Sequence, residues 1–83
     1  MINELKVFTE KLVKSLVKEP DLVKVQDFLD EEENPIIEIM VSDSERGRVI
    51  GKSGKMAKAI RTLVQATAFN KGIRRVKINI DGF

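Results

Sequence analysis

Residues 46–58 read RGRVIGKSGKMAK, and this stretch decides how the second half of the chain folds. A short aliphatic run leads into two glycines, Gly51 and Gly54, with Lys52 and Ser53 between them. Glycine lets the backbone adopt positive φ and approach a ligand that a Cβ would hold away. The basic segment after the second glycine predicts a helix whose start presents unpaired N–H groups and a positive dipole end. The pattern therefore predicts a loop that contacts a phosphate group.

Charge is distributed unevenly around this loop. Residues 1–43 carry five lysines and eleven acidic residues, a net charge of −6. Residues 44–83 carry ten basic and two acidic residues, a net charge of +8, which leaves +2 for the whole chain. Because the basic half contains the glycine loop, the asymmetry favours a polyanion as its partner. Attraction between the two halves within the fold is the alternative explanation.

Composition excludes several kinds of chemistry. The 83 residues include no cysteine and no histidine, which removes Cys/His zinc sites, thiol nucleophiles and histidine general bases. Carboxylates, lysines and serines are left as the only plausible chemical actors. We expect no catalytic residue, no metal and no cofactor. The length predicts a single domain over residues 1–83. The charged N-terminus and the lack of an apolar run of about 18 residues predict a soluble, cytoplasmic protein with no membrane partner.

Hydrophobic periodicity assigns the first half of the chain. Apolar residues at three- and four-residue steps predict an amphipathic helix that is capped by Asn3 and ends before Pro20. A strand is predicted at residues 23–29, and a second at residues 36–41, whose apolar character on both faces is typical of the middle of a sheet. Between them, residues 30–35 form an acidic loop that lacks the ligand spacing and the glycine of a calcium-binding EF-hand loop.

The second half alternates helices with the glycine loop. Residues 42–44 offer an N-cap for a short helix over residues 45–50. A longer helix follows the loop and stops at residues 70–72. Alternating apolar residues predict a last strand over residues 76–80. The expected buried positions of the long helix are Met56, Ala57, Ile60, Leu63, Val64 and Thr67.

The predicted fold is α+β, in the order helix-strand-strand-helix-helix-strand. The short acidic loop suits an antiparallel hairpin between the first two strands. The second and third strands are joined through two helices, which favours a parallel pair. The sequence therefore predicts a three-stranded mixed sheet covered by helices on one face.

Residues 49–54, VIGKSG, with Ile60 six positions after the second glycine, resemble the signature of the KH domain. The order of elements resembles the bacterial, type II form of that fold, and the length resembles the stand-alone KhpA family of RNA-binding proteins. The resemblance covers essentially the whole chain. It implies a protein that binds about four nucleotides of single-stranded RNA in a narrow groove, with the GxxG backbone against the phosphates.

The resemblance also assigns roles within the motif. The glycines allow close approach, the two residues between them donate to phosphate, and the two aliphatic residues before them form a floor for bases. Basic residues on either side supply long-range attraction. The predicted RNA-binding residues are Arg48, Val49, Ile50, Gly51, Lys52, Ser53, Gly54, Lys55 and Lys58.

Partners follow from the resemblance as well. It implies a second KH-domain protein of the KhpB type, or self-association, and a role as an RNA chaperone or post-transcriptional regulator that affects cell division or cell-envelope growth. With four Phe and no Trp or Tyr, aromatic stacking cannot dominate binding, so a single module is expected to bind weakly.

The acidic residues 30–33 are expected to border the groove and repel a nucleic-acid strand, or to contact a protein. The alternative function is a protein-interaction domain that uses the KH scaffold without RNA contact through the loop.

One competing motif is rejected. Residues 47–53 resemble a P-loop, and residues 76–81, an apolar strand ending in Asp, imitate the magnesium-binding strand of such enzymes. The P-loop needs four residues between its glycines, and this sequence has three. Gly54 also falls where the P-loop helix would have to continue. A nucleotide-hydrolysing enzyme is therefore not predicted.

Overall fold

The computed structural model describes residues 2–83, so Met1, the first residue of the predicted domain, lies outside the described part. Within it, three α-helices and three strands follow the predicted order. Single 3₁₀ turns lie at Pro20–Leu22 and Lys52–Gly54. The longer elements are α1 (Ile2–Lys14), β1 (Lys24–Leu29), β2 (Pro35–Val41), α2 (Asp43–Ile50), α3 (Lys55–Asn70) and β3 (Lys77–Gly82).

The sheet places β2 between β1 and β3. The pair β1–β2 is antiparallel, with Val25 opposite Ile39, and the pair β2–β3 is parallel, with Ile37 opposite Ile78. A parallel pair requires a long crossover, which α2, the glycine loop and α3 provide. The predicted three-stranded mixed sheet is confirmed.

The core lies between the helices and one face of this sheet. Ile37 and Ile39 on the central strand are fully buried, and Leu5 and Val13 on α1 pack into the same cluster. Thr9 is also buried, and its hydroxyl donates to the Leu5 carbonyl at 2.8 Å, so its burial leaves no polar atom unpaired. The third helix contributes Ala57, Ile60, Val64 and Ala68. In residues 2–83, no helix is both long enough and apolar enough to cross a bilayer.

The first helix is shorter than predicted. It ends at Lys14 instead of continuing toward Pro20, and Asn3 lies inside the helix instead of capping it. The N–H of Leu16 donates to the Val13 carbonyl at 2.9 Å. This bond spans three residues instead of four, so the last turn is tighter than an α-helical turn and the helix ends there. Leu16 still packs against the core from this non-helical segment. Hydrophobic spacing alone therefore overestimated the length of the helix.

Two apolar residues on α3 are not buried as predicted. Met56 is 37% exposed and Leu63 is 49% exposed, whereas Ala57 and Val64, the next residue after each, are buried. Helical spacing identified the buried side of the helix but not its margin: Met56 and Leu63 each lie one residue, about 100° around the helix, from a buried neighbour.

A buried carboxylate joins α2 to the segment that leads into β1. Glu45 is only 6% exposed, and its carboxylate accepts hydrogen bonds from the backbone N–H groups of Lys18 at 2.5 Å and Glu19 at 3.0 Å. Arg48 Nε lies 4.0 Å from the same carboxylate. No pattern in the sequence predicts that Glu45 is buried and accepts these two hydrogen bonds. Two charge-assisted bonds therefore hold the start of the site-bearing helix against the α1–β1 connection.

The start of α2 is held differently from the prediction. Ser42 occupies the N-cap position, but its side chain makes no capping hydrogen bond and lies 3.0 Å from the Ser44 hydroxyl. The N–H of Asp43 donates instead to the Phe83 carbonyl at 3.1 Å, and the N–H of Phe83 donates to the Val41 carbonyl at 3.0 Å. The end of β3 therefore ties down the beginning of α2.

The acidic β1–β2 turn is ordered by its first residue. Asp30 Oδ1 accepts hydrogen bonds from the N–H groups of Glu32 at 2.9 Å and Asn34 at 2.8 Å. Glu33 adopts a φ of 65°, in the left-handed region. The Asp30 N–H donates to the Asn34 carbonyl at 2.9 Å and closes the turn. We call this turn, residues 30–34, the acidic hairpin.

We predict that Glu45→Ala lowers the free energy of unfolding by about 2 kcal/mol, because two backbone N–H groups lose their acceptor in a partly buried position. Urea unfolding followed by circular dichroism measures the change. Asp21→Asn, at an exposed position on the 3₁₀ turn, is the control and should stay within about 0.5 kcal/mol of the native chain. Equal unfolding midpoints for the two variants would contradict the assigned role of Glu45.

The acidic hairpin should also respond to pH. The backbone N–H of Asn34, followed by that of Glu32, holds the pKa of the Asp30 carboxyl below its ordinary value. A lowered folded-state pKa means that the stabilisation is complete above the unfolded value of about 3.9 and is lost as pH falls through the folded value. We expect the amide chemical shift of Asn34, whose N–H donates to the Asp30 carboxylate, to titrate with a midpoint below the ordinary value of an Asp carboxyl. Asp30→Asn should abolish that titration; its persistence in the variant would assign it to another group.

Candidate nucleic-acid interface

The glycine loop reverses the chain between α2 and α3 within four residues. Gly51 ends α2, and its N–H donates to the Gly47 carbonyl at 2.8 Å. Gly54 donates to the Gly51 carbonyl at 3.1 Å and forms the N-cap of α3. The backbone has positive φ at Gly51 (80°), Ser53 (56°) and Gly54 (74°). Three left-handed residues in four explain why glycine stands at both ends of the loop.

The two glycines have different surroundings. A Cβ on Gly51 would lie 2.6 Å from Met56 Cβ and 2.8 Å from Met56 N, so this position packs against the first turn of α3. A Cβ on Gly54 would meet nothing within 4 Å. Gly51 is therefore required by the packing of the protein itself. Gly54 leaves an open side of the backbone that a ligand can approach.

Backbone donors are available between the glycines. The N–H groups of Lys52 and Ser53 donate to no acceptor within residues 2–83, and both residues are exposed. Left-handed turns that present successive N–H groups form concave sites for anions. The loop therefore offers two amide donors in the place where the sequence predicted phosphate contact.

Three lysines provide the charge around these donors. Lys52, Lys55 and Lys58 are exposed and take part in no ion pair within the described residues. Arg48, also a predicted site residue, lies 4.0 Å from the Glu45 carboxylate and is partly neutralised by it. The positive field at the loop therefore comes mainly from the lysines.

The two aliphatic residues before the loop differ in burial. Val49 is 0% exposed and belongs to the core, so it offers no face to a base, contrary to its predicted part in the floor. Its side chain belongs to the same buried cluster as Ile37 and Ile39 on β2. Ile50 is half-buried and retains an accessible side. Met56, 37% exposed and in contact range of Gly51, adds apolar surface that the spacing had assigned to the core.

A groove of about 620 Å³ lies between α3, β3 and the acidic hairpin. Arg61 Nε donates to the Ile78 carbonyl at 3.3 Å, and Gln65 Nε2 donates to the Val76 carbonyl. These two side chains join the helix to the outer edge of β3, and neither was among the predicted site residues. Their contact depends on the crossing of helix and strand, which sequence spacing does not encode. The groove is lined by Asp30, Glu32, Asn34, Arg61, Gln65, Arg75, Val76, Lys77, Ile78 and Asn79.

Two helices joined by a GxxG turn, packed on a β1-β2-β3 sheet with one antiparallel and one parallel pair, define a type II KH fold. Residues 6–80 match the family model described as KhpA/KhpB, KH domain. The chain belongs to this family of KH-domain proteins.

Similar proteins come from distant bacteria. The chain is 43% identical over 76 residues to a protein of Clostridium perfringens named RNA-binding protein KhpA, an alignment that covers 92% of this chain and 99% of the relative. It is 44% identical over 78 residues to the protein of the same name from Borreliella burgdorferi, with 94% of this chain and 92% of that relative covered. A third relative of that name, from Aquifex aeolicus, is 37% identical over 75 residues, with 90% and 94% covered.

One solved structure shares the fold. It is titled as Era in complex with MgGDPNP and nucleotides 1506–1542 of 16S ribosomal RNA. The superposition has a TM-score of 0.62 at 20% sequence identity and covers 95% of this chain but 30% of the Era chain. At this identity the likeness concerns the fold alone.

The different surroundings of the two glycines predict different effects of alanine. Gly54→Ala should destabilise the fold by about 1–2 kcal/mol, the cost of a left-handed non-glycine residue. Gly51→Ala should cost a further 1–3 kcal/mol, roughly, because its Cβ collides with Met56. Chemical denaturation of both variants measures the difference. A Gly54 variant as unstable as the Gly51 variant would show that the open side of the loop is also filled by the protein.

Proposed function

We propose that the chain is a non-catalytic, single KH domain over residues 1–83 that binds single-stranded RNA through its glycine loop. The observation that carries this proposal is the set of amides at Lys52 and Ser53, which lie beside the open face of Gly54 and have no acceptor within residues 2–83. Three nearby lysines make no ion pair within the same residues. The naming of the C. perfringens and B. burgdorferi relatives as RNA-binding proteins supports it.

In this proposal the loop contacts the sugar-phosphate backbone of the RNA and does not read its base sequence. A phosphate lies over Gly54 and accepts from the two free amides, while Lys52, Lys55 and Lys58 attract the strand from a distance. Ile50 and Met56 offer apolar surface to the bases, in place of aromatic stacking. Few directed groups face the bases at this end, so sequence selectivity is low.

Exposed apolar residues on α3 favour an additional protein partner. Met56 and Leu63 are 37% and 49% exposed, and because they are seven residues apart they lie on the same side of the helix. We propose that this face mediates self-association or contact with a second KH-domain protein of the KhpB type. Two joined modules would compensate for weak binding by each. An RNA chaperone or post-transcriptional role in the cytoplasm, with effects on cell division or envelope growth, belongs to the same proposal.

The test compares the native chain with a Lys52→Asp, Ser53→Asp double variant. Asp tolerates the left-handed φ of Ser53, so the fold should survive, and circular dichroism checks this. We expect binding to a pool of short single-stranded RNAs to fall at least about tenfold, equivalent to about 1.4 kcal/mol. Native binding should weaken steeply with salt, with a slope of about −0.7 per phosphate contacted.

A matched control makes the result specific. Lys11→Asp, Ser15→Asp changes the net charge equally at two exposed positions on and just after α1. RNA binding that survives in the control but not in the folded loop variant supports the proposal. Equal binding by all three proteins, or binding that salt does not weaken, would instead favour the protein-interaction function.

A further inference from the structure

The two outer edges of the sheet are covered to different degrees. On the β3 edge, the carbonyls of Val76 and Ile78 accept hydrogen bonds from the side chains of Gln65 and Arg61 on α3. An uncovered strand edge presents a row of N–H and C=O groups that can pair with another polypeptide. The β3 edge is therefore partly closed by the protein itself, and β1 forms the other edge of the sheet.

The backbone of β1 leaves three residues without a partner. The N–H of Asp30 donates to the Asn34 carbonyl at 2.9 Å, which identifies a hydrogen-bonded pair at the end of the β1–β2 ladder. Because bonded and non-bonded pairs alternate along an antiparallel ladder, the N–H and C=O groups of Val25, Asp27 and Leu29 point away from β2. Within residues 2–83, no hydrogen bond outside the sheet reaches these groups.

An apolar cavity of about 450 Å³ opens at the end of this edge. Val25 belongs to the core and Asp27 Oδ1 lies 3.6 Å from Lys6 Nζ on α1, so this face of the strand is turned toward α1. Leu29, on the same face, is 62% exposed. A strand added beside β1 would place every second side chain on the α1 side, next to the cavity. The cavity is lined by Ile2, Asp27, Phe28, Leu29, Pro35 and Ile73.

Negative charge accompanies this apolar surface. Asp27 lines the cavity, and the acidic hairpin begins directly after Leu29. Glu31 and Glu33 of the hairpin are exposed, make no ion pair within residues 2–83 and do not line the groove between α3 and β3. Carboxylates repel a nucleic-acid strand and attract a basic polypeptide. The edge and its cavity therefore suit a basic protein segment.

A second copy of β1 fits this edge less well. If two copies paired antiparallel through all three free positions, Val25 of each would lie opposite Leu29 of the other. The Asp27 residues of the two copies would then lie directly opposite each other. Like charges in that position destabilise a strand pair. A basic partner avoids this repulsion.

We infer that the outer edge of β1 is a docking site for a partner protein that presents a basic, extended segment. The segment adds as a fourth strand, and its backbone pairs with that of Val25, Asp27 and Leu29. One large apolar side chain of the segment enters the cavity. Its lysines or arginines meet the carboxylates of Asp27, Glu31 and Glu33.

The docking site and the glycine loop lie near opposite ends of α3. The cavity includes Ile73, just beyond the end of this helix, whereas the loop precedes its first residue. The helix has 16 residues and is therefore about 24 Å long. A docked segment leaves the loop open, so the inference goes beyond the proposed RNA binding and stands without it.

The probe is the nine-residue peptide acetyl-KTKTLTKTK-amide, whose leucine and lysines lie on one side when the peptide is extended. It is titrated into the native chain, and amide shifts and hydrogen exchange are followed by NMR. We expect shifts at Leu29 and Ile73, and about fivefold slower exchange or more at the amides of Asp27 and Leu29, because strand addition protects outward N–H groups. Alanine in place of the peptide's leucine should weaken binding about fivefold or more, since the cavity is no longer filled.

Two variants of the chain test the role of charge, and circular dichroism checks that both are folded. Glu31→Gln, Glu33→Gln keeps the Asp30 hydrogen bonds that order the hairpin and should weaken peptide binding about threefold or more at low salt. The control, Asp43→Asn, Asp81→Asn, changes net charge equally at exposed positions that do not line the cavity. Its binding should stay within about twofold of the native value.

Protection of Asp27 and Leu29 by the leucine peptide, with weaker binding in the hairpin variant alone, supports the inference. Equal weakening in both variants, binding without that protection, or no binding would overturn it. Protection in the native chain without peptide, increasing with protein concentration, would assign the edge to a second copy and would also overturn it. None of these results changes the expected outcome of the separate RNA-binding test at the glycine loop.

Discussion

The turn at Gly51 is the constraint on which the rest of the site depends. Its positive φ ends α2, and the first turn of α3 packs so closely against it that no side chain can be accommodated. This backbone position therefore constrains the direction of α3 relative to α2. The free amides of Lys52 and Ser53 follow from that geometry, since the intervening turn has no acceptor for them within the described chain.

The loop and the groove differ in their local charge, although both belong to the basic half of the sequence. The second half of the sequence is strongly basic, yet its basic residues do not share one environment. Within residues 2–83 the loop lysines make no ion pair, whereas Arg61, Arg75 and Lys77 line a groove together with Asp30 and Glu32. Attraction between the two halves, the alternative explanation offered by the sequence, therefore accounts for the charges of the groove, and a polyanion partner at the loop stays a prediction. The fold brings acidic and basic residues together at one end of α3 and leaves positive charge uncompensated at the other.

The elements and their pairing were predictable because they depend on local periodicity and short connections. The alternation at β3 and the residues that end α3 gave nearly correct bounds. Contacts between distant segments were not predictable. Glu45 binds amides 26 and 27 residues away, and its burial carries no pattern in the sequence. The GxxG spacing predicted the turn between α2 and α3, and its role in RNA binding stays a prediction. The burial of Val49 and the exposure of Met56 depend on tertiary packing that local spacing does not encode.

The parallel pairing of β2 with β3 has a consequence for the order in which the molecule can form. The β1–β2 hairpin closes through a five-residue turn, whereas β3 must return across α2, the loop and α3 before it pairs. Closure of the longer segment costs more entropy and slows the step that depends on it. Because the Phe83 carbonyl accepts from the first residue of α2, the loop-bearing helix gains its last anchor only when the C-terminal strand docks. The beginning of the loop-bearing helix is therefore anchored through the C-terminal residue of the chain, far from the loop in sequence.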